Sequence, residues 1–187
     1  MTNPYKECPV FENARYCLRF VETDDAADLL LVYSDEKAQP IFNSDNCIND
    51  FRYTTPEQMA ETIAFWQDEY KKQYYVRWTI FDKTIRQAIG TIELFNRQAE
   101  DFFTDCGLLR LDLRSDYEYA DTIAEILSLL LPSAFDLFSC RMIAIKVPEI
   151  AAERKKAVEK LRFVPTEEKL IGGHDGKPYG EYCILLS

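Results

Sequence analysis

The chain has 187 residues and a formal net charge of −10; 47% of its residues are hydrophobic and 29% are charged. This composition is typical of a globular protein, and the length fits one domain, 1–187, whose core needs neither a metal nor disulfides. An acidic chain without a basic stripe binds phosphates poorly, so we expect no nucleic-acid partner. No apolar run approaches the length of a membrane span, so we expect no membrane partner.

Cysteine and glycine usage narrows the class of protein further. The six cysteines lack the spacing of a zinc site, and the single histidine, His174, has no cysteine neighbour, so we expect no metal. Scattered thiols and an N-terminus without an apolar signal core predict a cytoplasmic protein. Only 6 of the 187 residues are glycine, and none lies between Gly107 and Gly172, which excludes a P-loop or a dinucleotide fingerprint there.

Hydrophobic periodicity predicts elements in the order β-α-α-β-β-β-α-β-α-β-β. Strands are expected at 15–21, 75–81, 88–96, 106–113, 141–147, from 163, and at 179–186; helices are expected from 23, from 55, at 116–138 and at 150–161. Short polar connections predict an antiparallel meander for 75–113, whereas the strand at 141–147 follows a helix and should run parallel to the strand before it. Pro132 is expected to kink or split the third helix.

This order and four local strings resemble the GNAT acyltransferases, particularly the branch that acetylates ribosomal-protein N-termini and similar amines. The strings are A-I-G-T-I-E-L-F-N at 88–96, L-D-L-R-S-D-Y-E-Y-A-D-T-I-A-E at 111–125, V-E-K-L-R-F-V at 158–164 and D-G-K-P-Y-G-E-Y-C-I-L-L at 175–186. The resemblance implies an α/β (α+β) fold with a mixed, mostly antiparallel central sheet of about seven strands flanked by helices.

In that family, acetyl-CoA lies in an opening between two parallel strands, which here would be the strand ending at Leu113 and the strand starting at Arg141. Free backbone groups of the first strand would bond the pantetheine arm, and the next helix would present its N–H groups to the pyrophosphate. The cofactor-binding residues that the resemblance implies are Leu111, Asp112, Leu113, Tyr119, Ala120, Asp121 and Thr122.

The pyrophosphate motif of the family departs from its usual form in this chain. Family members carry a basic or amide residue, then glycine, then glycine or alanine, where this chain has Asp116, Tyr119 and Asp121. We expect these acids, with Glu118, to satisfy the helix N-terminus themselves and to repel a diphosphate. A further hypothesis is that Tyr117 and Tyr119 plug the slot of the cofactor.

The following helix departs as well. Its residues Ala151, Arg154, Val158 and Arg162 stand where the family often has asparagine, serine, tyrosine and glycine. The tyrosine that usually protonates the leaving thiolate is therefore missing. Arg162 takes a helix-ending position that favours glycine, and the basic run at 154–156 is expected on a solvated face.

Amine acetylation needs a base, and a glutamate on a central strand can act as one directly or through water. Glu93 is the first candidate and Asp112 the second; the alternative is that both are surface carboxylates. Cys140 is expected to be a packed core thiol rather than a nucleophile. His174 is expected to be a solvated loop residue rather than a base.

Two functions follow from these observations. The first is an N-acetyltransferase that transfers an acetyl group from acetyl-CoA to a primary amine, either a small-molecule amine or a protein N-terminus. The family resemblance also implies that the protein can form a homodimer. The second is a GNAT scaffold that no longer binds acetyl-CoA in the usual way and serves as a ligand- or protein-binding module.

Overall fold

The computed structural model describes residues 3–48 and 50–187. Its α-helices are α1 (Ala26–Tyr33), α2 (Pro56–Lys71), α3 (Ala120–Phe138) and α4 (Ala152–Lys160). Its strands are β1 (Phe11–Glu12), β2 (Tyr16–Phe20), β3 (Val76–Asp82), β4 (Gln87–Arg97), β5 (Cys106–Leu113), β6 (Met142–Lys146), β7 (Val164–Pro165), β8 (Leu170–Ile171), β9 (Pro178–Tyr179) and β10 (Tyr182–Leu186). Among the described residues, no helix has the length and apolarity that crossing a bilayer would need.

A mixed sheet with the strand order β1-β2-β3-β4-β5-β6-β10-β7 forms the centre of the fold, and β8 pairs with β9 in a separate ribbon. Within the described residues, β5 and β6 run parallel, and the other neighbouring strands run antiparallel. The mixed, mostly antiparallel fold class is thus confirmed. The main sheet has one strand more than the sequence predicts, because the two-residue β1 pairs with β2 at the edge.

The two faces of the sheet differ in chemistry. One face packs apolar side chains of β3, β4 and β5 against the apolar stripe of α3 and residues of α4. The opposite face carries polar side chains, which α1 and α2 cover with an aromatic cluster around Tyr33. Strand alternation produces this division, since successive residues of a strand point to opposite faces. The polar face holds the candidate site.

Two predicted element boundaries are wrong, and the first is the start of the third helix, which lies at Ala120 rather than at 116. The strand predicted at 179–186 divides into β9 and β10 because Glu181 has a left-handed backbone, with φ 64°. Of the two effects predicted for Pro132, a kink or a split, the split does not occur, since α3 is continuous from Ala120 to Phe138. Proline removes one hydrogen bond, and the carbonyl that loses it belongs to the exposed Ser128, which water can reach. Burial of the apolar stripe of α3 keeps the helix intact.

The structure confirms that Arg162 takes a position at the end of α4 that favours glycine. The N–H of Phe163 bonds the carbonyl of Val158 at 3.0 Å, and the N–H of Arg162 bonds that of Glu159 at 3.0 Å. This is a Schellman motif, which needs a left-handed residue at its centre, and Arg162 has φ 67°. A non-glycine residue in this conformation costs about 1–2 kcal/mol.

Replacing Arg162 with glycine should therefore stabilise the protein. Arg162 is exposed, so few contacts are lost, and relief of strain outweighs the extra entropy of glycine in the unfolded chain. We expect the free energy of unfolding to rise by about 0.5–1 kcal/mol, measured by urea denaturation. As a control, Lys155→Gly at an exposed interior position of α4 should lower it by about 1 kcal/mol. Equal losses from both variants would contradict the assignment of strain to Arg162.

Candidate active site

A cavity of about 970 Å³ lies on the polar face of the sheet, between α2 and the segment that joins α1 to α2. Charged side chains from three neighbouring strands form its floor: Arg77 of β3, Glu93 of β4 and Arg110 of β5. Aromatic side chains form much of its wall: Phe51, Tyr53, Phe65, Trp66, Tyr74, Tyr75 and Phe95. A cleft with aromatic walls and a few convergent charges has the character of a ligand site.

Glu93 is the centre of a buried ion-pair network. Its Oε1 accepts a hydrogen bond from Arg110 at 3.1 Å, and its Oε2 accepts one from Arg77. The guanidinium of Arg77 also lies 4.2 Å from the centre of the Trp66 ring, a cation–π contact. Glu93 is 1% exposed, so the alternative of a surface carboxylate is wrong. The structure places the first candidate base at the floor of the cavity with its rotamer fixed.

Asp112 lies behind Arg77 and does not line this cavity. Its Oδ2 accepts hydrogen bonds from the Tyr33 hydroxyl at 2.8 Å and from Arg77 at 3.3 Å, and Oδ1 has no partner among the described residues. Burial raises the pKa of Asp112, and the charge of Arg77 opposes that rise. The surface alternative is wrong here too, and Asp112 joins Glu93 only through their shared arginine.

The pKa of Arg77 is determined by the same network. Burial alone would lower it, but the charges of Glu93 and the surrounding acidic groups raise it well above its ordinary value. Arg77 therefore stays charged and binds both carboxylates. The sequence prediction missed Arg77 and Arg110, although the registers Arg77↔Glu93 and Glu93↔Arg110 put all three on one face. Strand alternation indicates which residues of one strand share a face, but it cannot predict which residues of neighbouring strands pair with each other.

The other two residues considered for catalysis lie where the sequence predicts. His174 is exposed at the edge of the cavity, and its backbone N–H donates to Asn46 Oδ1 at 2.8 Å. Cys140 is buried in the main core, and burial raises the pKa of its thiol. No group of metal-ligating side chains occurs within residues 3–48 and 50–187.

The predicted strand opening is present. The parallel pairing of β5 with β6 ends at Leu109 and Ile145, whereas β5 continues to Leu113. Backbone groups of β5 beyond Leu109 therefore face a gap that β6 does not fill. In this structure a side chain of α4 fills it.

That side chain is Arg154, which is 1% exposed. Its Nη1 donates to the carbonyl of Leu111 at 3.0 Å and to that of Ile41 at 3.1 Å. Its Nε and Nη2 bond both carboxylate oxygens of Glu118, at 2.8 and 2.9 Å. The expectation of a solvated basic run is therefore wrong for Arg154, although Lys155 and Lys156 are exposed.

The first turn of α3 is also engaged by α4. The N–H of Ala120 donates to Glu153 Oε2 at 3.0 Å, and Asp121 pairs with Lys160. The expectation that the acids of this turn satisfy the helix N-terminus is therefore wrong, because Asp116 pairs with Arg114 and Glu118 turns to Arg154. A carboxylate from the neighbouring helix takes that place.

The hypothesis of a tyrosine plug is wrong as well. Tyr117 turns into the core, and its hydroxyl donates to Asp82 Oδ2 at 3.2 Å. Tyr119 is 59% exposed and points to solvent.

Acetyl-CoA does not fit this conformation of the opening. Among the residues implied as its ligands, the carbonyl of Leu111 is taken by Arg154 and the N–H of Ala120 by Glu153. Asp112 and Leu113 are buried, while Tyr119 and Asp121 are exposed and Thr122 is half-buried. The backbone places these residues around the opening, but side chains of α4 occupy it.

The polar network under α1 gives a stability prediction. Tyr33→Phe removes a hydroxyl that donates to the buried Asp112 carboxylate, and a hydrogen bond to a charged group contributes about 1.5–3 kcal/mol. We expect the melting temperature to fall by roughly 3–12 °C, measured by differential scanning calorimetry. Tyr74→Phe is the matched control, since Tyr74 is 61% exposed. Equal melting temperatures for the two variants would contradict the role of Tyr33.

Comparison with known proteins identifies the family. A model described as "Acetyltransferase (GNAT) domain" matches residues 15–164. No protein of curated function matches the chain in sequence. The match over most of the chain supports acetyl transfer and does not favour the binding-module alternative.

Solved structures agree with this family. A ribosomal-protein-S5-alanine acetyltransferase from Vibrio fischeri is 18% identical, with a TM-score of 0.70 over 95% of this chain and 96% of that one. A ribosomal L7/L12 alpha-N-protein acetyltransferase in complex with coenzyme A is 11% identical, with a TM-score of 0.69 over 95% of this chain and 98% of that one. These similarities show the fold, and the chain belongs to the GNAT acetyltransferase family.

Proposed function

We propose that the chain transfers an acetyl group from acetyl-CoA to a primary amine that enters the cavity above Glu93. Family membership supports the reaction, and the L7/L12 acetyltransferase of the same fold holds coenzyme A. The observation that carries the proposal for this site is the position of Glu93, a strand carboxylate at the floor of a cavity large enough for an acceptor.

Glu93 is the proposed base. A primary amine is protonated in water and must lose a proton before it can attack a carbonyl carbon. A carboxylate has about four acceptor positions on its two oxygens, and Arg77 and Arg110 occupy one on each oxygen. The remaining positions can accept a proton from the amine, directly or through water. The two arginines hold the carboxylate in place for this step.

The acceptor class follows from charge and shape. The net charge of −10 attracts a cationic amine, and the aromatic walls of the cavity suit an ammonium group with an apolar flank. Both a small-molecule amine and a protein N-terminus meet this description.

We also propose a cytoplasmic location for the protein. The six cysteines are free thiols, which supports this location.

Binding of acetyl-CoA tests the proposal directly. A ligand at 100 times its dissociation constant adds about 2.7 kcal/mol of stability. For this length we expect millimolar acetyl-CoA to raise the melting temperature by roughly 5–10 °C. Release of free thiol should then follow addition of an amine, with a ribosomal-protein N-terminal peptide and a diamine as the two acceptors. The absence of both a melting-temperature shift and thiol release would contradict the proposed function.

Glu93→Gln tests the base. We expect turnover to fall by about 10²–10⁴-fold with unchanged affinity for acetyl-CoA, because glutamine cannot take the proton. Glu167→Gln, at an exposed carboxylate outside the cavity, is the control and should leave turnover unaltered. Circular dichroism confirms that each variant is folded at the assay temperature. Turnover of Glu93→Gln equal to that of the control would remove Glu93 from the mechanism.

A further inference from the structure

We propose that Arg154 is a displaceable clasp that closes the cofactor opening in the free protein and couples cofactor entry to the wall of the acceptor cavity. The clasp consists of the Arg154 guanidinium, the Glu118 carboxylate, and the backbone carbonyls of Leu111 and Ile41. The inference rests on the proposed function, since it concerns how acetyl-CoA reaches its place.

The clasp competes with a pantetheine arm for the same backbone. The carbonyl of Leu111 lies on the part of β5 that has no ladder partner in β6, and Arg154 bonds it at 3.0 Å. The bidentate pair with Glu118 satisfies the rest of the guanidinium, so the closed state has no unpaired buried charge. A ligand that bonds Leu111 in place of Arg154 must therefore displace the guanidinium.

Opening the clasp also frees the carbonyl of Ile41 in the segment between α1 and α2. Ile41 ends a 3-10 helix in this segment, and its carbonyl is held by Arg154 at 3.1 Å. A second attachment follows at Asp45, which accepts hydrogen bonds from Lys146 at 2.5 Å and from Tyr182 at 3.0 Å. Arg110 Nη2 also donates to the backbone carbonyl of Asp45 at 3.0 Å, so the segment stays anchored at Asp45 when the clasp opens.

The segment between α1 and α2 continues from Asp45 to the acceptor cavity. Asn46, Cys47 and Ile48 follow Asp45 and line the cavity of about 970 Å³. Loss of the Arg154 bond to Ile41 thus acts on these residues only through Asp45, which connects the clasp to the cavity wall. By thermodynamic linkage, a bound acceptor affects cofactor affinity by the same factor as the cofactor affects acceptor affinity.

Binding of coenzyme A to the whole protein, followed by titration calorimetry, tests the clasp without an activity assay. The apparent dissociation constant of a ligand is its intrinsic value divided by the fraction of protein in the open state. Arg154→Ser removes the clasp, so we expect coenzyme A to bind this variant at least about tenfold more tightly than the wild type. Lys155→Ser removes the same charge from the exposed neighbour and should bind like the wild type.

A second variant tests the clasp independently in case Arg154→Ser does not fold. Glu118→Gln weakens the clasp and keeps the bonds of Arg154 to Leu111 and Ile41, so its affinity gain should be smaller but in the same direction. Asp121→Asn removes an equal charge from the first turn of α3 without touching the clasp. The gain from Glu118→Gln must exceed the gain from Asp121→Asn, which measures charge alone.

Hydrogen exchange of the wild type provides the readout for coupling. Coenzyme A should accelerate exchange in the peptide that contains Ile41 and leave peptides of β3 unchanged. Tighter binding by Arg154→Ser together with this acceleration supports the proposal. Equal binding by wild type and Arg154→Ser overturns the clasp and leaves the proposed function standing. Absence of binding by both proteins overturns the clasp and the proposed function together.

Discussion

The backbone of β5 beyond Leu109 imposes the constraint on which the functional half of the molecule depends. The parallel ladder ends there, and the carbonyls that follow need partners, because an unsatisfied buried polar group costs about 1–3 kcal/mol. In this structure the partner comes from α4 through Arg154. The same side chain fixes Ile41 and Glu118, so the position of α4 determines both the start of α3 and the segment over the acceptor cavity.

The polar face of the sheet follows a different rule, the neutralisation of buried charge. Arg77 and Arg110 face Glu93 and Asp112, so two cations meet two anions at buried positions of the sheet. Buried ions lose their hydration, and only close pairing compensates for that loss. The network therefore has little freedom of geometry, and the cavity floor is preorganised. Preorganised groups are what a proton transfer needs, since they spend no energy on reorientation during the reaction.

Local patterns in the sequence predict most of the fold, because strands, helix caps and helix ends are determined by residues that are close to each other in the sequence. Strand alternation identifies the strands, and α2 begins where the sequence predicts a helix, with Thr55 as its cap. The glycine-like position of Arg162 is also visible from the sequence, since a Schellman motif lies within a few residues. The family string around Glu93 indicates the strand that carries the cavity floor.

Long-range partners explain what the sequence could not predict. The run at 154–156 has the composition of a solvated helix face, and nothing local distinguishes its first member. The partners of Arg154 lie 36, 43 and 113 residues away along the chain. The prediction that the acids of the turn at 116–121 satisfy the helix N-terminus fails for a similar reason. These acids pair with Arg114, Arg154 and Lys160 instead.

Two of the groups that Arg154 binds belong to the main chain, and every amino acid supplies such a carbonyl. Positions 41 and 111 can therefore change their side chains without losing these acceptors. Only Glu118 and Arg154 contribute side chains to the clasp, so its ion pair depends on two positions of the sequence. A substitution at either position would remove this ion pair while both carbonyls stay in the backbone.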